Sequence, residues 1–199
     1  MDGCSERLNM IKVIKKRIED SVLLHKALLD DERIQNEIMV LSNAIILALN
    51  SNHKIVVCGN GGSASDSLHF VAEIIGRFQK ERNAWPAIAL NSDVSTMTAI
   101  ANDYGYEKVF ARQAEAVVNE GDVFIGISTS GNSQNVINAV KTAQKKGAKT
   151  AALLGKDGGA LQSEVDYPVL VLEDTTARIQ ECHILIIHII CELIEEALL

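Results

Sequence analysis

Residues 55–77 read I-V-V-C-G-N-G-G-S-A-S-D-S-L-H-F-V-A-E-I-I-G-R and join a short apolar run to a glycine-rich turn and a helical pattern. The first four are apolar and mostly β-branched, which is typical of a buried strand. Gly59, Gly61 and Gly62 then allow a sharp turn and close approach of the backbone to a ligand. Ser63 is the candidate N-cap of a following helix. A strand, a glycine turn and a helix N-terminus together predict an anion-binding site.

Composition limits the class of protein. The 199 residues are 47% hydrophobic and 23% charged, which indicates one globular domain or a domain with an appendage. The net charge of −7 argues against nucleic-acid binding. The apolar C-terminal segment is interrupted by Glu and His, so no membrane span is expected. The cysteines form no C-x-x-C pair and no secretory segment opens the chain, so we expect free thiols in the cytoplasm. They are Cys4, Cys58, Cys182 and Cys191.

Residues 6–50 contain no strand signal and predict two amphipathic helices. Apolar residues recur there every three or four positions. They are Ile11, Ile14, Ile18 and Val22, then Ile34, Ile38, Leu41, Ile45 and Leu49. Asp30 and Asp31 could start the second helix. We expect residues 1–50 to be an N-terminal helical extension that either covers the sheet or packs against another subunit. The second alternative is favoured because residues 51–199 already resemble a complete α/β unit.

Five apolar runs in the remaining chain predict an α/β fold with a five-stranded parallel sheet. The runs are 55–58, 87–90, 123–127, 150–154 and 168–172. Helical patterns lie between most of them, notably at 109–118 and 136–146, and a long last helix covers about 175–198. Strands that alternate with helices form parallel sheets with helices on both faces.

Polar loops follow three of the predicted strands, at 59–63, 91–95 and 128–133. The third reads S-T-S-G-N-S, with four hydroxyls in six residues before a helix. Ligands of such sheets bind at the carboxyl ends of the strands, where the strand order reverses. Serine and threonine also serve as simple helix caps. Two such turns in one sheet favour a bound phosphate over simple capping.

Two pairs of polar residues lie on predicted helices. His69 and Glu73 are four residues apart on one helix face, and Gln180 and His188 are two turns apart on the last helix. Either pair alone is uninformative, because helix residues often only face a neighbour. Convergence of both pairs would form a site for proton transfer or metal binding.

Five stretches carry a resemblance to a known family. They are C-G-N-G-G-S at 58–63, H-F-V-A-E-I-I-G-R at 69–77, A-N-D-Y-G-Y at 101–106, G-I-S-T-S-G-N-S at 126–133 and A-R-I-Q-E-C-H-I-L-I-I-H at 177–188. In this order they resemble the sugar isomerase (SIS) domain family, and within it the enzymes that isomerise sedoheptulose 7-phosphate. Some of those enzymes carry Asp where this chain has Ala177.

The resemblance implies conversion of sedoheptulose 7-phosphate to D-glycero-D-manno-heptose 7-phosphate through an enediol. It implies Glu73 as the base and His188 as its partner acid or base. It also implies one zinc per subunit, a homotetramer and a cytoplasmic enzyme. The implied zinc ligands are His69, Glu73, Gln180 and His188.

A larger set of residues is expected to bind the substrate. The set is Asn60, Gly61, Gly62, Ser63, Glu73, Arg77, Asn102, Asp103, Ser128, Thr129, Ser130, Ser133 and Gln180. Arg77 resembles a family arginine that reaches an active site, which can be that of an adjacent subunit. A plain surface arginine is the alternative.

Three other functions stay open at this point. One is an isomerase of another ketose phosphate. Another is a SIS-domain adaptor without catalysis, a class that lacks the histidines found here at His69 and His188. A dinucleotide-binding enzyme is the third, because Gly59, Gly61 and Ala64 fit G-x-G-x-x-A. That match is poor because no acidic residue ends the next strand at the required distance.

Overall fold

The computed structural model describes residues 3–199, with side chains from Glu6 onward, and confirms the predicted α/β class. The strands are β1 Ile55–Gly59, β2 Ala87–Ala89, β3 Val123–Ser128, β4 Lys149–Gly155 and β5 Tyr167–Val171. The helices are α1 Gly3–Asp30, α2 Glu32–Asn50, α3 Gly62–Ile75, α4 Val94–Tyr104, α5 Val109–Val117, α6 Gln134–Lys145, α7 Leu161–Glu164 and α8 Thr176–Leu198. Among these described residues, no helix has the length and apolarity to cross a membrane.

All five strands are parallel, in the order β2-β1-β3-β4-β5. The chain leaves β1 to one side to form β2 and then continues on the other side with β3. Ile55 is therefore paired with both Ala87 and Val123. The strand order reverses between β1 and β3, where open parallel sheets bind their ligands.

Each face of the sheet has its own core because side chains alternate along a strand. Ile55 and Val57 of β1 point into the core that contains α2, α3 and α8. Val56 and Cys58 point into the core that contains α4, α5 and α6. Burial on both faces explains why the strands are continuous apolar runs without an alternating pattern. Cys58, Cys182 and Cys191 are buried free thiols, whereas the side chain of Cys4 lies outside the described residues.

Helix α2 packs on the sheet of its own chain, so the favoured expectation that both N-terminal helices pack against another subunit is wrong for α2. Its buried face is formed by Ile34, Ile38, Leu41, Ile45 and Leu49. Its start is capped by Asp31, whose side chain accepts hydrogen bonds from the backbone N–H groups of Arg33 and Ile34. The backbone of Leu170 in β5 accepts from the Arg33 side chain at 3.0 Å and donates to Glu37 at 2.9 Å. Helix α2 is thus part of the folded unit; the division of the chain at residue 50 stays a prediction.

Helix α1 presents its apolar residues to solvent in the single chain. The side chains of Ile14, Ile18 and Val22 are about three-fifths exposed. Among its side chains from Glu6 onward, those that pack against the core lie in its C-terminal part, where Leu24 and Leu28 are partly buried. A stripe of exposed large apolar residues at helical spacing is typical of an interaction surface.

The start of α3 differs from the sequence expectation, and the prediction that Ser63 caps this helix is wrong. Gly61 is the N-cap residue, and α3 begins at Gly62. Gly61 has φ 57° and ψ −121°, a conformation that glycine adopts without steric cost. The turn is therefore completed before Ser63, which lies buried in the first turn and accepts a hydrogen bond on its carbonyl from Ser67 Oγ at 2.8 Å.

Candidate functional site

A cavity of about 320 Å³ lies at the carboxyl ends of β1 and β3, where the strand order reverses. Its walls come from the two predicted phosphate turns and from the first turns of α8. The lining residues are Asn60, Gly61, Gly62, Ser63, Ile127, Ser128, Thr129, Ser133, Thr176 and Gln180. The predicted convergence of these turns is therefore seen in the structure, with α8 as an additional wall.

A pair of asparagine side chains fixes the two turns relative to each other. The amide groups of Asn60 and Asn135 exchange two hydrogen bonds of 2.8 and 2.9 Å. Tyr106 donates its hydroxyl proton to the Asn60 Oδ1 atom at 3.0 Å. Since Asn135 is buried, these bonds hold the turn after β1 and the turn after β3 in one rigid arrangement.

The turn after β3 directs its hydroxyls inward. The Oγ atoms of Ser128 and Ser133 lie 3.0 Å apart. Ser130 instead stabilises the turn itself, because its Oγ accepts the Asn132 N–H at 3.2 Å. Gly131 has φ 64°, and a Cβ at this position would overlap the carbonyl oxygen of Gly158. Only glycine fits there without displacing the neighbouring loop.

The helices that begin at the cavity have no side-chain cap. This is true of α3, α6 and α8, whose N-cap residues are Gly61, Ser133 and Thr175. Asp31 and Asp93 cap α2 and α4 with their carboxylates, whereas α5 and α7, which do not line the cavity, also lack a side-chain cap. Uncapped helix N-termini carry a partial positive charge and attract anions. The side chains of Ser63 and Ser133 therefore make no capping hydrogen bond, so simple capping does not account for these two hydroxyls.

A second group of polar atoms lies further along α3 and α8. Ligand atoms of His69, Glu73 and His188 all lie within 4.8 Å of one another. His69 Nε2 is 3.0 Å from Glu73 Oε1 and 3.3 Å from His188 Nε2. The ring of Phe78 stacks on the His188 ring, with centroids 5.5 Å apart and planes inclined by 29°. The structure thus brings together three of the four predicted metal ligands.

The chemistry of this cluster suits a divalent metal. Two imidazole nitrogens and a carboxylate oxygen are ligands that zinc accepts. Two nitrogens bound to one tetrahedral zinc, at about 2.0–2.1 Å, lie about 3.3 Å apart. The two Nε2 atoms of His69 and His188 have this separation. A single Nε2 proton cannot serve both neighbours of His69 Nε2, so a shared cation accounts well for this convergence.

The fourth predicted ligand, Gln180, lies at the cavity. Its side chain faces Gly62, where a Cβ would overlap the Gln180 amide. A glycine at this position makes room for Gln180 beside the first turn of α3. Gln180 therefore connects the α8 helix with the phosphate turns.

Three predicted substrate contacts lie on the exposed surface of the chain. The Arg77 side chain is 57% exposed, and its Nε atom lies 3.6 Å from Glu81 Oε2. Asn102 and Asp103, in the last turn of α4, are also exposed and joined by a 2.9 Å hydrogen bond. Within one chain these residues do not line the cavity described above.

Burial perturbs two titratable residues near the site. His183 is fully buried, its Nε2 lies 3.0 Å from the Leu154 carbonyl, and burial lowers its pKa to about 4. It is thus packed in the core and does not belong to the polar cluster. Asp66 is half-buried, and burial raises its pKa to about 6, with His69 acting in the opposite direction.

Sequence reasoning missed several residues that shape the site. Thr176 follows the N-cap of α8, and its signal was the Thr-Thr pair before a helix. Asn135 extends the S-T-S-G-N-S turn by two residues. Tyr106 ends the A-N-D-Y-G-Y stretch, but its bond to Asn60 has no local signal, and Phe78 has none for its contact with His188, since both partners are distant in the chain.

A family model described as SIS domain matches residues 22–155 of the chain. The sheet order and the hydroxyl-rich cavity at its reversal point thus belong to a known class of α/β domain.

A phosphoheptose isomerase of a Nitratiruptor species is 50% identical over 184 residues, which are 92% of this chain and 98% of that protein. Solved phosphoheptose isomerases of Neisseria gonorrhoeae and Francisella tularensis have TM-scores of 0.89 and 0.90 at 38% and 36% identity. Each covers 94% of this chain, with 99% and 98% of their own chains matched. The chain therefore belongs to the phosphoheptose isomerase family of SIS-domain proteins, and the predicted resemblance is confirmed.

The turn after β3 allows a test of its rigidity. Gly131→Ala should lower the free energy of unfolding by about 3 kcal/mol, because a strained backbone and a steric overlap add together. Gly147→Ala is the matched control: Gly147 has φ 81°, but its nearest neighbour is the side chain of exposed Glu120. The control should cost about 1 kcal/mol. Urea unfolding measures both, and equal losses would contradict the close packing of the turn against Gly158.

Proposed function

We propose that the chain interconverts sedoheptulose 7-phosphate and D-glycero-D-manno-heptose 7-phosphate. The observation that carries this proposal is that α3 and α8 each contribute to both parts of the site. Helix α3 supplies Ser63 to the cavity and Glu73 to the polar cluster, and α8 supplies Gln180 and His188. The membership of the chain in the phosphoheptose isomerase family supports the same substrate.

The spacing along α3 favours an extended phosphosugar. Ser63 and His69 are six residues apart, which is about 9 Å along the helix axis. A ligand that reaches both must have its phosphate far from its reacting end. An open-chain heptose 7-phosphate has this form, because its reacting carbons, C1 and C2, lie at the other end from the phosphate.

In this proposal the phosphate is bound by hydroxyls and backbone N–H groups in the cavity. The proposed contacts are Asn60, Gly61, Gly62, Ser63, Ser128, Thr129, Ser130 and Ser133. The uncapped N-termini of α3, α6 and α8 add a favourable electrostatic field. Gln180 would then contact the sugar between the phosphate and the reacting carbons.

Glu73 is the proposed base. It removes a proton from C1 of the ketose, and the C1–H electron pair forms the C1–C2 double bond of an enediol while the C2 carbonyl oxygen gains a proton. Return of a proton to C2 and loss of the O1 proton give the aldose. His188 is proposed to assist the proton transfers at the oxygens. A half-buried carboxylate suits this task because it can both accept and return a proton.

Zinc is the metal proposed for His69, Glu73, Gln180 and His188, at one ion per subunit. When bound, it would polarise a sugar oxygen as a Lewis acid. Because the Nε2 atom of His188 cannot bind a metal and donate a proton at the same time, its two proposed roles are alternatives: it would assist proton transfer through Nε2 only while that atom is not bound to the metal. Glu73 has a second carboxylate oxygen, so its role as base is compatible with metal binding through Oε1.

Arg77, Asn102 and Asp103 are proposed to complete the site across a subunit interface of a homotetramer. Their exposure in the single chain and the exposed apolar stripe of α1 support this assembly. We also propose residues 1–50 as the extension and 51–199 as the SIS domain. A cytoplasmic location accompanies the proposal, because buried free thiols persist in a reducing compartment.

Replacement of the proposed base tests the function. Glu73→Gln should fold and bind the phosphosugar but lose about 100-fold or more in kcat, since the amide keeps the shape and lacks basicity. Exchange of solvent deuterium into sedoheptulose 7-phosphate measures proton abstraction directly. Glu115→Gln, an exposed substitution on the other side of the sheet, is the matched control.

The outcomes of that experiment separate the alternatives. A wild-type protein that binds the sugar without deuterium exchange would support an adaptor. Exchange with a different ketose phosphate alone would identify another substrate. Exchange that persists in Glu73→Gln would show that another residue is the base.

The metal is tested by elemental analysis. Protein purified with zinc in the buffers should contain about one zinc per chain, and His69→Ala should lose most of it because one of the ligands is removed. His53→Gln, at the opposite end of the sheet, should keep the metal. Wild-type protein without zinc would contradict the proposed cofactor and leave the acid–base assignment intact.

Assembly is tested on α1. Ile14→Gln combined with Ile18→Gln should shift the molar mass by light scattering from tetramer toward smaller species, because buried apolar contacts are lost. Lys12→Gln combined with Lys15→Gln is the control on the same helix. A wild-type monomer at micromolar concentration would contradict the tetramer and the role of Arg77 across an interface.

A further inference from the structure

A buried ion pair links the C-terminal end of α8 to the segment that follows α3. Arg82 Nε lies 3.0 Å from Glu195 Oε1, and both side chains are 2% exposed. The guanidinium also lies over the Trp85 ring, 3.7 Å from its centroid. Arg82 and Glu195 lie outside the cavity and the metal-ligand cluster described above.

The carboxylate of Glu195 organises the segment after α3. Its two oxygens accept hydrogen bonds from the backbone N–H groups of Phe78, Gln79 and Lys80 at 2.8–2.9 Å. Burial opposes the charged form, but these bonds and Arg82 outweigh it and lower the pKa of Glu195 to about 2. Three consecutive backbone donors on one carboxylate leave the segment little freedom to move.

Arg82 caps the C-terminal end of α3, next to the proposed base Glu73. Its two terminal nitrogens donate to the carbonyl oxygens of Ile74 at 2.9 Å and Glu73 at 2.8 Å. These belong to the last turn of the helix, where carbonyls lack intrahelical partners. The backbone of Glu73 is therefore bonded directly to the ion pair.

The same segment supports the proposed partner acid. Phe78, whose N–H is bound by Glu195, stacks its ring on His188. Glu195 is seven residues after His188 on α8, about 10 Å along the axis, so it acts on the ring through Phe78 and not by contact.

We propose that Glu195 and Arg82 are positioning residues that hold Glu73 and His188 in their reactive arrangement. The proposal rests on the proposed function for its kinetic consequence, while its structural consequence is independent of it. A buried ion pair adds little net stability compared with apolar residues of similar size. The pair does make directional hydrogen bonds that fix the positions of two reacting side chains, and an apolar pair could not make these bonds.

The test compares two ways of removing the pair. Glu195→Gln weakens the bonds to the 78–80 backbone and leaves Arg82 buried without its counter-ion, so a loss of stability is expected as well. Arg82→Met combined with Glu195→Leu removes both charges together and should keep the fold. In each folded variant, kcat should fall about 10- to 100-fold with KM changed less than about threefold, because the substrate is still bound but the reacting groups are displaced.

The control is a second ion pair at the opposite end of the sheet, with a buried carboxylate and a partly buried lysine. Lys54 Nζ lies 2.6 Å from Asp122 Oδ2, before β1 and β3 begin. Lys54→Met combined with Asp122→Asn should lower stability and leave kcat of the folded protein unchanged. Wild-type kcat in the apolar Arg82/Glu195 variant would overturn the proposal.

A second readout does not depend on activity. The imidazole NMR signals of His188 should shift in the apolar variant and in Phe78→Leu, because the stacked ring moves or is lost. Unchanged signals in the apolar variant would overturn the proposal even if the protein isomerised no heptose. Shifted signals in a protein without isomerase activity would support the positioning role and refute the proposed function instead.

Discussion

The packing of α3 against α8 is the contact on which the candidate site depends. Phe70 and Ile74 of α3 and Ile187 and Cys191 of α8 are buried in the same core. Each buried side chain of this kind contributes about 1.5–3 kcal/mol relative to exposure. His69 and Glu73 each precede one of the buried α3 residues, and His188 follows Ile187. The polar cluster therefore lies at the rim of an apolar contact and is positioned by it.

The proposed function requires an acidic chain to bind an anion in the cavity. None of the ten described residues that line the cavity is Lys or Arg. In that proposal the anion is bound by hydroxyls, backbone N–H groups and helix dipoles, which are fixed by the fold and need no flexible cation. An exposed arginine such as Arg77 can add a full charge only from a neighbouring subunit or after movement.

The sequence predicts features that depend on local chemistry. The strands are predictable because β-branched runs between turn residues have few other buried conformations. The cavity is predictable because loops after parallel strands meet at one edge. Asp31 is predictable as a cap because its carboxylate acts on the next turn. The sequence could not distinguish packing of α2 on its own sheet from packing on another subunit, because an apolar helix face fits either surface.

Contacts between residues that are far apart in the sequence cannot be predicted from local sequence patterns. The Asn60–Asn135 pair spans 75 residues, and the bonds of Glu195 to the segment after α3 span 113 to 117. The cap pattern wrongly predicts Ser63 as the N-cap of α3, because the helix start depends on the backbone angles of Gly61, which such a pattern does not specify. In each case the tertiary structure selects among polar partners that are equally suitable in sequence.

Helix α8 is long enough to link the cavity, the polar cluster and the buried ion pair. Its 23 residues span about 35 Å, enough to cross the whole domain. One rigid element thus carries Gln180 at the cavity, His188 at the cluster and Glu195 at the ion pair. Because a helix fixes the distances between its own residues, displacement of α8 at one end changes the geometry at the other two places. A site built on such an element is held more precisely than one built on loops, as proton transfer between adjacent carbons requires.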